Sequence, residues 1–308
     1  MSDIATRLDV FKTYKLFVGG KFPRSESGRV YEVTTATSAA GAAGKGQWLA
    51  NAPLGTRKDT RDAVLAARAA VKGWSGTTAY NRGQVLYRVA EMLQGRREQF
   101  AAEVAAAEGL GAKKSAALVE QAIDRWVWYA GWTDKVAQIA GAANPVAGPY
   151  FNLSVPEPTG VVGIVAPQTG YGHSFLGLVS VIAPAIATGN TVVVAAAEDA
   201  PLPALSLGEV LATSDVPGGV VNIISGRTAD LAPTLASHQD VNALDLTGAI
   251  AADGAGAAAV LEAAAADTLK RVLRPAVDPS AQDWTTAPGV ERLLSFLETK
   301  TVWHPMGQ

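Results

Sequence analysis

Three histidines, no cysteine and a handful of glycine-spaced polar residues are the chemistry this 308-residue chain has to offer. Gly172-His173-Ser174 carries the opening of a nucleophile elbow, G-x-S-x-G, in which a strained turn lifts a serine above a sheet. The closing position, however, is Leu176. His238 and His304 lie far off in sequence, no acid partner is legible for any of the three, and a serine hydrolase is not expected. Scattered histidines without thiolates also make a poor transition-metal set. The lack of cysteine removes disulfides, thiolate metal sites and thiol nucleophiles outright. Gly254-Ala255-Gly256-Ala257-Ala258-Ala259 fits GxGxxG/A by letter, after a strand and before a helix, where backbone N–H groups can meet a phosphate. A segment this rich in Ala and Gly yields the pattern by chance, and Asp253 would stand beside the phosphate. Lys113-Lys114 and Arg96-Arg97 read as solvated helix faces.

The elements that would position such residues centre on the stretch from Val155 through Asn190. Val161, Val162, Ile164 and Val165 form a β-branched run between Pro158 and Pro167, which predicts a strand buried on both faces. Phe175 to Ala187 is apolar almost all round and predicts a buried crossover helix, stopped at Gly189-Asn190. Thr191 to Val194 is the next buried strand, completing a βαβ unit of a parallel sheet. Upstream, Tyr14 to Phe22 reads as a strand–GG–strand hairpin and residues 34–56 as loop. Apolar residues recur at helical spacing from Thr60 to Trp74, Asn81 to Leu93, Phe100 to Ala107 and Ser115 to Ile139. Trp126, Trp128, Tyr129 and Trp132 make an aromatic patch, either an inter-helix seam or a subunit contact. Ala147 to Val155 reads as an extended ribbon. Beyond Asn190, a helix around Ala204 to Thr213, a strand in PGGVVNIISG, a helix ending near His238 and a strand in VNALDLTG continue the alternation of a doubly wound sheet.

A net charge of −2 implies neither nucleic acid nor anionic membrane as a partner. The longest apolar run contains Pro184 and falls short of the ~20 residues of a membrane span. With no apolar signal core in MSDIATRLDVFK, a cytoplasmic protein is expected. Charged residues make up 18% of the chain against roughly 25% in ordinary domains, which fits either a surface partly covered by subunits or simply an Ala-rich composition.

The frame PxGVVGxxxP…APAxAxGNTVVxxxAExxPL resembles the cofactor domain of aldehyde dehydrogenases, and RDAVLAARAAVKGWSG…QFA resembles their N-terminal helices. The resemblance runs to about Arg274 and resumes at GVERLLSFLETKTVWHPMGQ, similar to the family's C-terminal segment. It implies an α/β, Rossmann-like doubly wound parallel sheet with N-terminal helices and β oligomerisation elements, the catalytic domain absent between Arg274 and Val290. The expected divisions are residues 1–140, a hairpin and helices; 141–160, an oligomerisation arm; 160–274, the cofactor-type domain; and 275–308, a linker and oligomerisation strand.

In that family the chemistry needs a cysteine thiolate, an oxyanion asparagine, a glutamate base and bound NAD(P). Cysteine is missing; the asparagine's motif falls at Pro167-Gln168-Thr169; the glutamate's falls near Arg274-Pro275; the cofactor lysine's position is Ala195. Glu198, near the adenosine ribose in the family, is kept, and Glu198, Gly226 and Gly248 are the vestigial cofactor-binding candidates. The resemblance therefore implies a pseudoenzyme, similar to the inactive unit of bipartite family-16 aldehyde dehydrogenases. No cofactor is expected, with NAD(P) possible. The expected partner is a full-length catalytic aldehyde dehydrogenase in a hetero-oligomer, because the arm near residues 150–155 pairs in the family with a neighbour's catalytic lobe. The alternatives are a residual NAD(P)-dependent oxidoreductase acting on aldehydes and a nucleotide-binding sensor.

Overall fold

The computed structural model describes residues 10–36, 46–249 and 256–307. A five-stranded parallel sheet forms the centre, in the order β7-β6-β5-β8-β9. Its strands are β5 (Val161–Val165), β6 (Thr191–Ala195), β7 (Val221–Ile224), β8 (Ala243–Asp245) and β9 (Arg271–Leu273). Every residue of β5 and β6 is buried, as the β-branched runs require. Four helices serve the crossovers: α6 (Leu178–Ala187), α7 (Leu202–Leu211), α8 (Thr228–Ser237) and α9 (Gly256–Ala266). α6 is buried on all sides and enters through a π-helical turn, His173–Gly177.

The N-terminal part packs beside this sheet as α1 (Arg57–Gly76), α2 (Ala79–Gln94), α3 (Arg97–Glu108), α4 (Ala112–Trp132) and α5 (Val136–Ala140). α1 begins at a capping box in which Thr56 and Asp59 satisfy each other's backbone N–H groups. Trp126 and Tyr129 are buried in the core between helices, so that part of the aromatic patch is a packed seam. Trp74 is equally buried, and its indole N–H donates to the Ile186 carbonyl at 2.9 Å, tying α1 to the end of α6.

Two expectations change. The segment 14–22 is no free-standing hairpin: Val18 bridges Lys21 across the Gly19-Gly20 turn, while Phe17 exchanges both backbone hydrogen bonds with Ile223. Its outward groups are spent on covering the β7 edge, which would otherwise invite another strand. Residues 34–56 also contain a strand, β2 (Trp48–Pro53), paired antiparallel with β1 (Val30–Thr34). Alternate residues of β2 pack inward, a signal that the Gly- and Ala-rich residues before it obscure.

A second, three-stranded antiparallel sheet has the order β10-β4-β3: β10 (Leu297–Pro305), β4 (Tyr150–Pro158) and β3 (Ala142–Asn144). The arm strand β4 thus has neighbours on both sides within one chain, correcting the expectation that only a neighbouring lobe could pair with it. β10 takes its whole length, from Leu297 opposite Pro158 to Pro305 opposite Tyr150. Asn190 fastens the start of this sheet to the central one. Its amide oxygen accepts from Gly160 N and Thr159 Oγ1, and its amide nitrogen donates to Thr188 Oγ1 and the Phe296 carbonyl. Between β9 and a short helix, α10 (Glu291–Ser295), residues 278–289 run as a strap across the central domain, with one 3-10 turn at Pro279–Ala281.

Candidate functional site

Glu198 follows β6 in the loop beyond Ala195 and Ala196, both fully buried. A lysine ammonium at 195 would be desolvated with no partner, so the chain has replaced charge with packing there. The Glu198 carboxylate is already engaged: Oε2 accepts from Thr228 N at 2.9 Å, and Oε1 meets the Arg227 guanidinium at 3.3 Å. It therefore caps the first turn of α8, where an anion also suits the helix dipole. The Glu198 backbone is engaged too, its N–H donating to Gln168 Oε1 at 2.9 Å and its carbonyl accepting from Tyr31 Oη at 3.1 Å. Burial, then the carboxylates of Glu198 and Asp199, push the Tyr31 hydroxyl well above its ordinary pKa, so it stays a donor.

Gly226 sits beside this group and is needed for close approach. Its φ is +151°, and a Cβ would stand 3.1 Å from both the N and O of Gly55. Glu198 and Gly226 line one open cavity of about 770 Å³, with Tyr31, Asp199, Arg227 and His173 also on its wall. Gly248 lies elsewhere, against the end of β5: its N–H donates to the Val165 carbonyl at 3.0 Å, and a Cβ would fall 1.7 Å from the Ala166 oxygen. Two of the three candidates thus share a cavity and the third is a packing glycine at the switch between β5 and β8. The Gly254–Ala255 part of the glycine motif lies outside the described residues; Gly256 to Ala259 begin α9.

Ser174 is buried, and its hydroxyl donates to Glu108 Oε1 at 2.6 Å. The same carboxylate accepts from Gly172 N and Ser174 N, so it clamps the π-helical turn. His173 Nδ1 lies 2.9 Å from the Gly170 carbonyl and 3.8 Å from Glu108 Oε1. The serine proton is aimed at an acid instead of an imidazole, which gives no activated nucleophile. Gln168, in the asparagine motif's position, donates to the Ala166 carbonyl at 2.7 Å and is fixed there. His304 is exposed on β10, and no cluster of three or more metal-ligating side chains occurs among the described residues. No described helix is long and apolar enough to cross a membrane.

Sequence reasoning missed a second polar centre at the carboxyl ends of β5 and β8. Asp245 is fully buried and accepts from Arg292 Nη1 at 2.6 Å, while Arg292 Nη2 donates to Thr247 Oγ1 at 2.9 Å. Arg292 comes from α10, past the strap, so no local spacing announces the pair. Among the described residues, those at the family's cofactor positions are engaged elsewhere and do not fit a dinucleotide. The ribose-type carboxylate is a helix cap, the lysine position is apolar and buried, and the strap lies over the strand ends.

The family model described as "Aldehyde dehydrogenase family" matches residues 34–274. The chain is 34% identical over 253 residues to cytosolic 10-formyltetrahydrofolate dehydrogenase of Mus musculus, covering 79% of this chain and 26% of that protein. It is 33% identical over 269 residues to retinal dehydrogenase 2 of Gallus gallus, covering 85% and 48%. An NAD+ complex of an aldehyde dehydrogenase from Bacillus cereus superposes with a TM-score of 0.75 at 24% identity, covering 85% of this chain and 50% of that one. The chain spans half or less of the length of these relatives. It has the fold and the sequence frame of one lobe, and it belongs to the aldehyde dehydrogenase family.

Proposed function

We propose that this chain is a non-catalytic member of the family, a structural or regulatory subunit that docks onto a full-length catalytic aldehyde dehydrogenase through the β10-β4-β3 sheet. The observation that carries this reading is the outer face of that sheet. Phe151, Leu153 and Val155 alternate along β4 and are 56%, 46% and 41% exposed, and Val302, opposite Leu153, extends the stripe onto β10. An apolar stripe beside an open strand edge is expensive to leave in water and favours a covering partner. The Lys300–Glu157 ion pair at 3.1 Å sits at one end of the stripe and gives it a polar rim.

The edge itself is on β10. Thr159 N donates to the Phe296 carbonyl and Met306 N to the Pro149 carbonyl, which sets the alternation of the ladder. Residues 298, 300, 302 and 304 spend their backbone groups on β4, and Thr299, Thr301 and Trp303 turn theirs outward. Pro305 ends the row, having no N–H to offer. Such an edge can add a foreign strand in the manner of β-augmentation. The absence of cysteine from the sequence and the apolar Ala195 support a role without chemistry.

A tagged chain recovered from its native host should bring a full-length aldehyde dehydrogenase with it. Leu153→Glu, which puts a charge in the stripe without touching the ladder, should release that partner. Aldehyde oxidation by the isolated chain contradicts the proposal.

A further inference from the structure

Arg125 of α4 is a buried cation, 7% exposed, and among the described residues no carboxylate pairs with it. Burial lowers its pKa, and the one neighbour opposing that shift is the Tyr129 hydroxyl. Its hydrogen bonds go to neutral groups. Nη1 donates to Ser180 Oγ at 2.7 Å, and Nη2 to the Trp284 and Thr286 carbonyls, each at 3.0 Å. These dipoles orient the guanidinium but leave its charge uncompensated, which is costly away from water. Nε–H and one hydrogen of Nη1 have no acceptor among the described residues.

Tyr129 stands one turn further along α4, on the same face. It is 2% exposed, and its hydroxyl likewise bonds to no described residue. Burial, opposed by Arg125 and Arg292, pushes its pKa up to about 12, so the hydroxyl keeps its proton. Arg125 and Tyr129 both line a cavity of about 260 Å³ enclosed by α4, Ser180 of α6, residues 282–289 of the strap and Arg292 of α10. A buried positive charge and two idle donors thus meet at one cavity, and an acceptor bearing negative charge completes them.

The charges around the cavity restrict the ligand to a monoanion. Arg292 is already neutralised by Asp245 at 2.6 Å, so Arg125 supplies the free charge. Asp283 and Glu291 stand exposed at the rim. Asp283 spends its carboxylate on Thr285 N and Oγ1, at 2.9 and 2.7 Å. The Glu291 carboxylate folds over Gly289, where a Cβ would fall 1.9 Å from Oε2. A phosphate dianion would set a second charge against these two carboxylates, whereas an organic carboxylate brings only one. Trp284, Ala287 and Pro288 give the rest of the wall an apolar surface suited to a hydrocarbon body.

We propose that the cavity beneath the strap is a binding site for a small organic acid, whose carboxylate is held by Arg125 and Tyr129. The inference concerns the isolated chain and stands or falls independently of the docking partner.

Calorimetric titration of the intact chain with sodium benzoate tests it, with benzamide as the uncharged isostere and inorganic phosphate as the competing anion. Saturable benzoate binding is expected, at least about tenfold tighter than that of either comparison ligand. Tyr129→Phe breaks no hydrogen bond of the unliganded chain. It is expected to weaken benzoate about tenfold while leaving the thermal midpoint of the ligand-free protein unchanged. Arg125→Gln is expected to abolish binding, and should loss of its bonds to the strap unfold the protein, Tyr129→Phe decides alone. Three results overturn the site: no saturable benzoate binding, benzamide or phosphate bound as tightly as benzoate, or a Tyr129→Phe variant that binds benzoate like the parent.

Discussion

Glu198 shows how a family position can survive with its task changed. Its carboxylate holds Thr228 N and Arg227, so its side chain is worth about 1 kcal/mol as a helix cap. Glu198→Ala should lower the thermal midpoint by a few degrees through α8. Gln, which keeps an acceptor, should recover most of the loss. An unchanged midpoint in Glu198→Ala would sink the capping role. Glu103 makes a different residue-scale expectation. It lies among Gln99, Ser206, Tyr14, Lys12, Arg96 and Glu209, accepting from Gln99 Nε2 at 2.9 Å and Ser206 Oγ at 2.8 Å. Burial raises its pKa above the ordinary carboxylate value, partly opposed by those two hydrogen bonds. A raised carboxyl pKa means stability that is complete below the unfolded value, roughly 4.3, and lost as pH rises through the folded one. Glu103→Gln should flatten that decline in urea midpoints measured from acid to neutral pH. An equally steep decline in the variant refutes the assignment.

At the scale of elements, the parallel sheet was legible because its signals are local: the β-branched runs became β5 and β6, and the apolar run became α6. What was hidden depends on partners far away in sequence. Phe17 reads as half a hairpin until Ile223 takes its hydrogen bonds, and no local spacing announces that Trp284 packs against Gly177. Glu198, Gly226 and Gly248 were found by resemblance, but that they serve as a cap and two close contacts is visible only in three dimensions. The β10 edge gives the sharpest expectation here. Thr301→Pro removes an outward N–H and should abolish partner capture with little loss of fold, whereas Lys300→Pro breaks the ladder to β4 and should destabilise the sheet. Thermal melts alongside capture assays separate the two, and equal behaviour of the variants would contradict the deduced alternation.

Over the whole molecule, two interfaces of the family's lobe are treated differently. The crevice face is sealed by the strap, with Asp245 and Arg292 paired beneath it. The arm sheet, by contrast, is left with an exposed apolar stripe and an open edge. A covered strand-end crevice and an exposed apolar stripe beside a free strand edge suit the proposed assembly role. The most direct test is the native mass of the complex isolated from the host through a tag on this chain. A hetero-oligomer containing a full-length aldehyde dehydrogenase is expected. A stable monomer or an assembly of this chain alone contradicts the docking role.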